Sequence, residues 1–130
     1  MDYDTMIDLV ARRTDLPSEQ AVDLTRVTLE ALNERITAGE ALDLAAQLPK
    51  PLQGLLRPPD ETAEAFTADE LIRRVGREAG LPGPAAETGV RAVFATLREA
   101  LPGGGFDELT ADLPADFRDL AQPAPVTRQG

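Results

Sequence analysis

The sequence predicts an all-α protein, a pseudo-symmetric bundle of about eight helices built from two tandem copies of a four-helix unit. Three observations carry that prediction. Residues 4–56 recur without a gap at 69–121, at an offset of 65 positions that brings Leu16-Pro17 onto Leu81-Pro82 and Leu48-Pro49 onto Leu113-Pro114. Apolar residues return every three or four positions in both copies, the period of one face of a helix. The apolar share, 42% of 130 residues, rests on Ala, Leu and Val, with four Phe, one Tyr and no Trp, side chains suited to close helix packing. A copy of about 50 residues buries too little surface to be comfortable alone. Residues 1–56 and 67–121, joined by a linker over 57–66, are therefore expected to share one core as a single domain over 1–121.

In the first helix Ile7, Val10, Ala11 and Thr14 make an amphipathic stripe, repeated by Ile72, Val75, Gly76 and Ala79. The second copy opens on Thr67 as N-cap with Glu70 three residues later, a capping box, and with Phe66 facing Leu71 as a hydrophobic staple. Leu16-Pro17-Ser18 and Leu81-Pro82-Gly83-Pro84 then end one helix and begin the next. Ser18 is the expected cap, and Pro84 suits a first turn because its missing N–H is not needed there. The second helices, about 19–36 and 84–100, bury Ala21, Thr25, Thr28, Leu29, Leu32 and Ile36, matched by Ala86, Val90, Val93, Phe94, Leu97 and Leu101. Thr37 and Glu40 form another capping box, opening a short helix that buries Ala41, Leu44, Ala45 and Leu48 before Pro49 stops it. Its counterpart begins with Pro102-Gly103-Gly104-Gly105 and is expected to start late, over about 106–112, because each glycine costs roughly 1 kcal/mol in a helix interior. A brief fourth helix follows in each copy, near 51–56 and 115–121. The linker, with Pro58-Pro59, reads as stiff and polar, and the tail 122–130 carries too little apolar surface to dock and is expected to be disordered.

Composition narrows the chemistry. The chain has neither cysteine nor histidine, which removes disulfides, thiolate nucleophiles and the commonest general base and metal ligand. Ser, Thr and Tyr3 lack a nearby activator, so no catalytic residue, metal site or cofactor is assigned and the protein is read as a non-enzyme. A net charge of −10, spread over both halves, repels phosphate backbones and anionic lipid, so nucleic acid and membrane are excluded as direct partners. No apolar run approaches the roughly 20 residues of a membrane span, and the acidic start is unlike a signal peptide, so a cytoplasmic location is expected.

Two weak sites remain. Arg26 and Arg91 occupy equivalent places in the long helices, where a symmetry-related pair of guanidinium forks could hold an anion between the halves. The alternative for each is an ion pair with Asp23, Glu30 or Glu87. Leu9, Leu24 and Leu42 fall off the apolar stripes while their counterparts Arg74, Gly89 and Asp107 are not large and apolar, which marks them as a candidate partner face. Glu40, Asp43 and Gln47 share one face of the third helix with Glu108 and Asp112 repeating part of the line, read as a solvated face. Gly54, Gly76 and Gly89 lie in helical stretches where they would permit close approach, and Asp116 is read as capping the fourth helix.

Leu71-Ile72-Arg73-Arg74-Val75 followed by Gly80-Leu81, Gly39-Glu40, and above all Ala45-Ala46-Gln47-Leu48-Pro49 resemble the signatures of a largely bacterial family of two-repeat helical proteins, the domain of unknown function 2267. In the second copy the last motif decays to Thr110-Ala111-Asp112-Leu113-Pro114. The resemblance implies an all-helical fold over most of 4–121 and supplies no catalytic residues. It favours a binding role, with a protein partner or a second copy as in a homodimer. The alternative is a small-molecule or ion-binding regulator using the cleft between the repeats.

Overall fold

The computed structural model describes residues 1–56, 64–111 and 113–122. Among them are eight helices and no strand: α1 (Tyr3–Thr14), α2 (Ser18–Arg35), α3 (Ala38–Gln47), α4 (Lys50–Gln53), α5 (Ala68–Ala79), α6 (Gly83–Ala100), α7 (Gly105–Thr110) and α8 (Ala115–Asp119). Most of the linker and all but the first residue of the expected tail lie outside the described residues.

Four helices make the centre. α1 packs on α2 and α6, α5 packs on α6 and α2, and the two long helices α2 and α6 also touch. Every residue of the expected α2 and α6 stripes is buried, from Ala21 to Ile36 and from Ala86 to Leu101. One apolar cluster runs from Met6 to Ala121 and takes side chains from both halves. α4 reaches back to α1. On the other side Asp116 of α8 accepts the backbone N–H of Ala68 at 3.1 Å, so it caps the start of α5 and not its own helix.

Local chemistry explains most ends. Thr37 and Glu40 form the reciprocal capping box, with Thr37 N–H donating to Glu40 Oε1 at 2.8 Å and Glu40 N–H to Thr37 Oγ1 at 3.2 Å. At α5 the box is half made. Thr67 Oγ1 accepts from Glu70 N–H at 3.1 Å, but the Glu70 carboxylate turns outward to Arg73 and Arg74, both at 3.0 Å. Ser18 is already inside α2 and Pro17 holds the cap position without a side-chain bond. α1 ends on Asp15 at φ 58° and α5 on its counterpart Gly80 at φ 69°, the left-handed conformation that closes a helix.

The α1 stripe is rotated from its expected phase. Met6, Ile7 and Val10 are buried, whereas Ala11 and Thr14 are only partly covered. In α5 the line is Ala68, Leu71 and Val75, with Ile72 half-buried. Each of these helices is wedged between two long ones, and the centre of that wedge falls one position before the stripe read from sequence.

Candidate functional site

The expected partner face of Leu9, Leu24 and Leu42 does not hold together. Leu24 is 1% exposed and belongs to the core. A Cβ built on Gly89 would lie 2.9 Å from both Leu24 methyl carbons, so the glycine opposite leaves the room that Leu24 fills. Leu24 looked like a surface residue because its stripe is the face toward the other long helix, which single-helix periodicity does not reveal. Leu9 is half-buried. Leu42 alone stays well outside, 56% exposed on α3, the most open of the large apolar side chains in the described residues.

Arg26 and Arg91 each pair with carboxylates of their own helix. Arg26 bonds Asp23 and, at 2.9 Å, Glu30, and its hydrogen bond to Asp23 raises the guanidinium pKa above its ordinary value. Arg91 bonds Glu87 at 3.0 Å and donates to the Asp119 carbonyl at 3.3 Å. These are the three carboxylates named as alternatives from sequence. Arg91 lines a broad hollow along α6, together with Arg13 and Arg98, and Arg26 is not part of its lining.

The acidic line on α3 meets α7. Glu40, Asp43, Leu44 and Gln47 enclose a cavity of about 50 Å³ with Leu101, Gly105, Glu108 and Leu109. The lining holds three pairs in equivalent register: Glu40 and Gly105, Asp43 and Glu108, and Leu44 and Leu109. The missing side chain of Gly105 is filled by Gln47, whose Oε1 would sit 2.7 Å from an added Cβ. Among the described residues no group of three or more acidic side chains is gathered closely enough to hold a metal ion.

The densest polar node was not legible in advance. Arg74, 21% exposed, bonds Glu34 at 3.0 Å, Glu64 at 3.1 Å and Glu70 at 3.0 Å, and its Cζ lies 4.0 Å from the Phe66 ring centroid. Hydrogen bonds to Glu64, then to Glu70 and Glu34, hold its pKa above the ordinary guanidinium value. Bonds from Arg74, then from Arg73, hold Glu70 below the usual carboxylate range. Arg35 lies over the Phe117 ring at 5.3 Å and donates to the Phe66 carbonyl at 2.8 Å. This joins the end of α2 to the start of α5 and to α8. On the other side Arg13 donates to Glu99 at 2.6 Å and to Thr96 Oγ1 at 2.8 Å, joining α1 to α6. Glu34 and Glu99, equivalent at the 65-residue offset, each take an arginine from the other half. The sequence signal for the arginines was a charge difference at equal register, Arg74 against Leu9 and Arg13 against Glu78.

Fold and surfaces together define an all-helical protein whose two long helices are each braced by the first helix of the opposite half. The chain belongs to the family described as an uncharacterized conserved protein, DUF2267, whose model matches residues 3–120. No curated protein matches the chain. No helix in the described residues is long and apolar enough to cross a membrane.

Proposed function

We propose that the protein is a non-catalytic interaction module made of two tandem copies of a four-helix unit, fused into one pseudo-symmetric domain, which binds a protein partner or a second copy of itself. Support for the pseudo-twofold comes from the helix bounds. Tyr3–Thr14 and Ser18–Arg35 recur as Ala68–Ala79 and Gly83–Ala100 at the 65-residue offset. Leu16 and Leu81 line one cleft, and Leu24 meets Gly89, so residues in equivalent register come together across the middle of the molecule.

The single observation that carries the interaction reading is Leu42. It is 56% exposed, the most open large apolar side chain of the described residues, where the other copy has Asp107. Affinity capture of the tagged full-length chain, with Leu42→Asp alongside and light scattering on each eluate, tests it. The expected result is a stoichiometric partner, or a dimer, that the variant loses. Identical eluates from both proteins would end the reading.

A second reading has its own observation, the α3–α7 cavity. Glu40, Asp43, Gln47 and Glu108 line it, and a small-molecule or ion-binding regulator would use this cleft between the copies. Calorimetric titration with Mg²⁺ and Ca²⁺ separates the two. Heat that saturates and disappears in Asp43→Asn would favour the regulator.

A further inference from the structure

The flanks of the two long helices carry hollows that differ in charge and size. On the α2 side, Val27, Glu30 and Glu34 with Glu78, Arg74 and Arg77 line a space of about 310 Å³. On the α6 side the space is about 750 Å³, and the 65-residue register shows why. Val27 becomes Ala92 and Glu30 becomes Ala95, which removes bulk from the lining, and Ala121 adds a third small residue. Glu78 becomes Arg13 and Asn33 becomes Arg98, which reverses the charge.

Three arginines face this second hollow against one carboxylate, Glu99, and Arg13 already neutralises that carboxylate. Arg91 is shared with Glu87 and the Asp119 carbonyl. Arg98 is exposed and has no ion-pair or hydrogen-bond partner among the described residues. The result is a cationic concavity with an alanine floor on a chain whose net charge is −10. Its volume falls in the range of small-molecule sites, roughly 300–1,000 Å³, which pair an apolar lining with a few placed polar groups.

We propose that this hollow binds a small anionic amphiphile, a carboxylate or phosphate head on an apolar body. The head pairs with the Arg98 guanidinium, with Arg91 two helical turns before it on the same edge of α6. The body lies over Ala92, Ala95 and Ala121. A guanidinium fork matches either oxyanion, and desolvation against the alanine floor strengthens the pair relative to one in open water. The site is independent of the Leu42 contact proposed above, which uses α3, so either can fail without the other.

The test titrates the full chain with decanoate and with decyl phosphate, below their micellar concentrations, while amide resonances are followed by NMR. Decylamine serves as the control of opposite charge. Saturable one-to-one binding is expected, with the largest shifts along residues 88–99, and the tighter of the two anions identifies the head group. Ala95→Glu with Arg98→Asn, which installs the residues that the first copy carries, should weaken binding by about tenfold or more. Arg98→Gln, a change of one exposed side chain, provides the same reading should the double variant melt early. Absence of saturation, equal binding of decylamine, or full affinity in a folded Arg98→Gln protein would overturn the proposal.

Discussion

α3 has ten residues and opens on a reciprocal capping box, whereas α7, from the corresponding stretch, has six and opens on Gly104 at φ 79° with no side-chain cap. The difference follows from Thr37-Ala38-Gly39-Glu40 standing where the second half has Pro102-Gly103-Gly104-Gly105. Bulk compensates for length. Phe94 replaces Leu29 and Phe106 replaces Ala41, and the two rings meet edge to face at 6.2 Å between centroids. The first half thus secures its third helix by backbone capping and the second by aromatic packing. Equivalent positions keep their burial while the means of holding them change, which locates the constraint in the shared core and the freedom at helix ends and flanks.

Removing the aromatic packing of the second half should cost the most. Phe94→Ala should cost about 3–5 kcal/mol in chemical denaturation, and Phe94→Leu, which copies the first half, distinctly less. A milder change attacks the point where the halves touch. Gly89→Ala should cost about 1–2 kcal/mol, because its methyl enters the space of a buried Leu24, even though alanine is the better helix former. With Leu24→Ala already present, the same Gly89→Ala step should become stabilising by about 1 kcal/mol, a coupling that a double-mutant cycle reads directly.

At Thr28 the first half carries a polar group where the second half is apolar. The Thr28 hydroxyl is buried with no hydrogen-bond partner in the described residues, whereas its counterpart is Val93. Thr28→Val should raise stability by about 1 kcal/mol, measured as a higher denaturation midpoint. The smallest expected effect concerns pH. Glu70 is held below its ordinary value near 4.5 in the folded chain, so its ion pairs stabilise above that pH and the contribution disappears as pH falls through the depressed value. Thermal melts should show a loss on acidification below about pH 4.5, and Glu70→Gln should make that stretch shallower.

Much of this architecture was legible because it is local. The α2 and α6 stripes, the Thr37 capping box and the in-helix partners of Arg26 and Arg91 all follow from spacings of three or four residues. What escaped reading depends on a second element. Met6 is covered because α1 is wedged between α2 and α6, and Leu24 because Gly89 faces it. Asp116 finds the start of α5 rather than of α8, and Glu70 turns from its own cap to Arg73 and Arg74. The candidate site was legible only in part for the same reason. Leu42 is exposed as its place off the stripe implies, while helix packing alone sets Arg13 and Arg98 beside an alanine floor.

The two halves share one core, since α1 rests on α6 and α5 on α2. A circular-dichroism melt of residues 1–60 alone, set beside the full chain, puts that sharing to the test. The fragment should be weakly helical and lose its signal without a cooperative transition, because half of the surface that covers α1 and α2 is gone. A cooperative melt at a temperature near that of the full chain would show two independent domains, each with its own core.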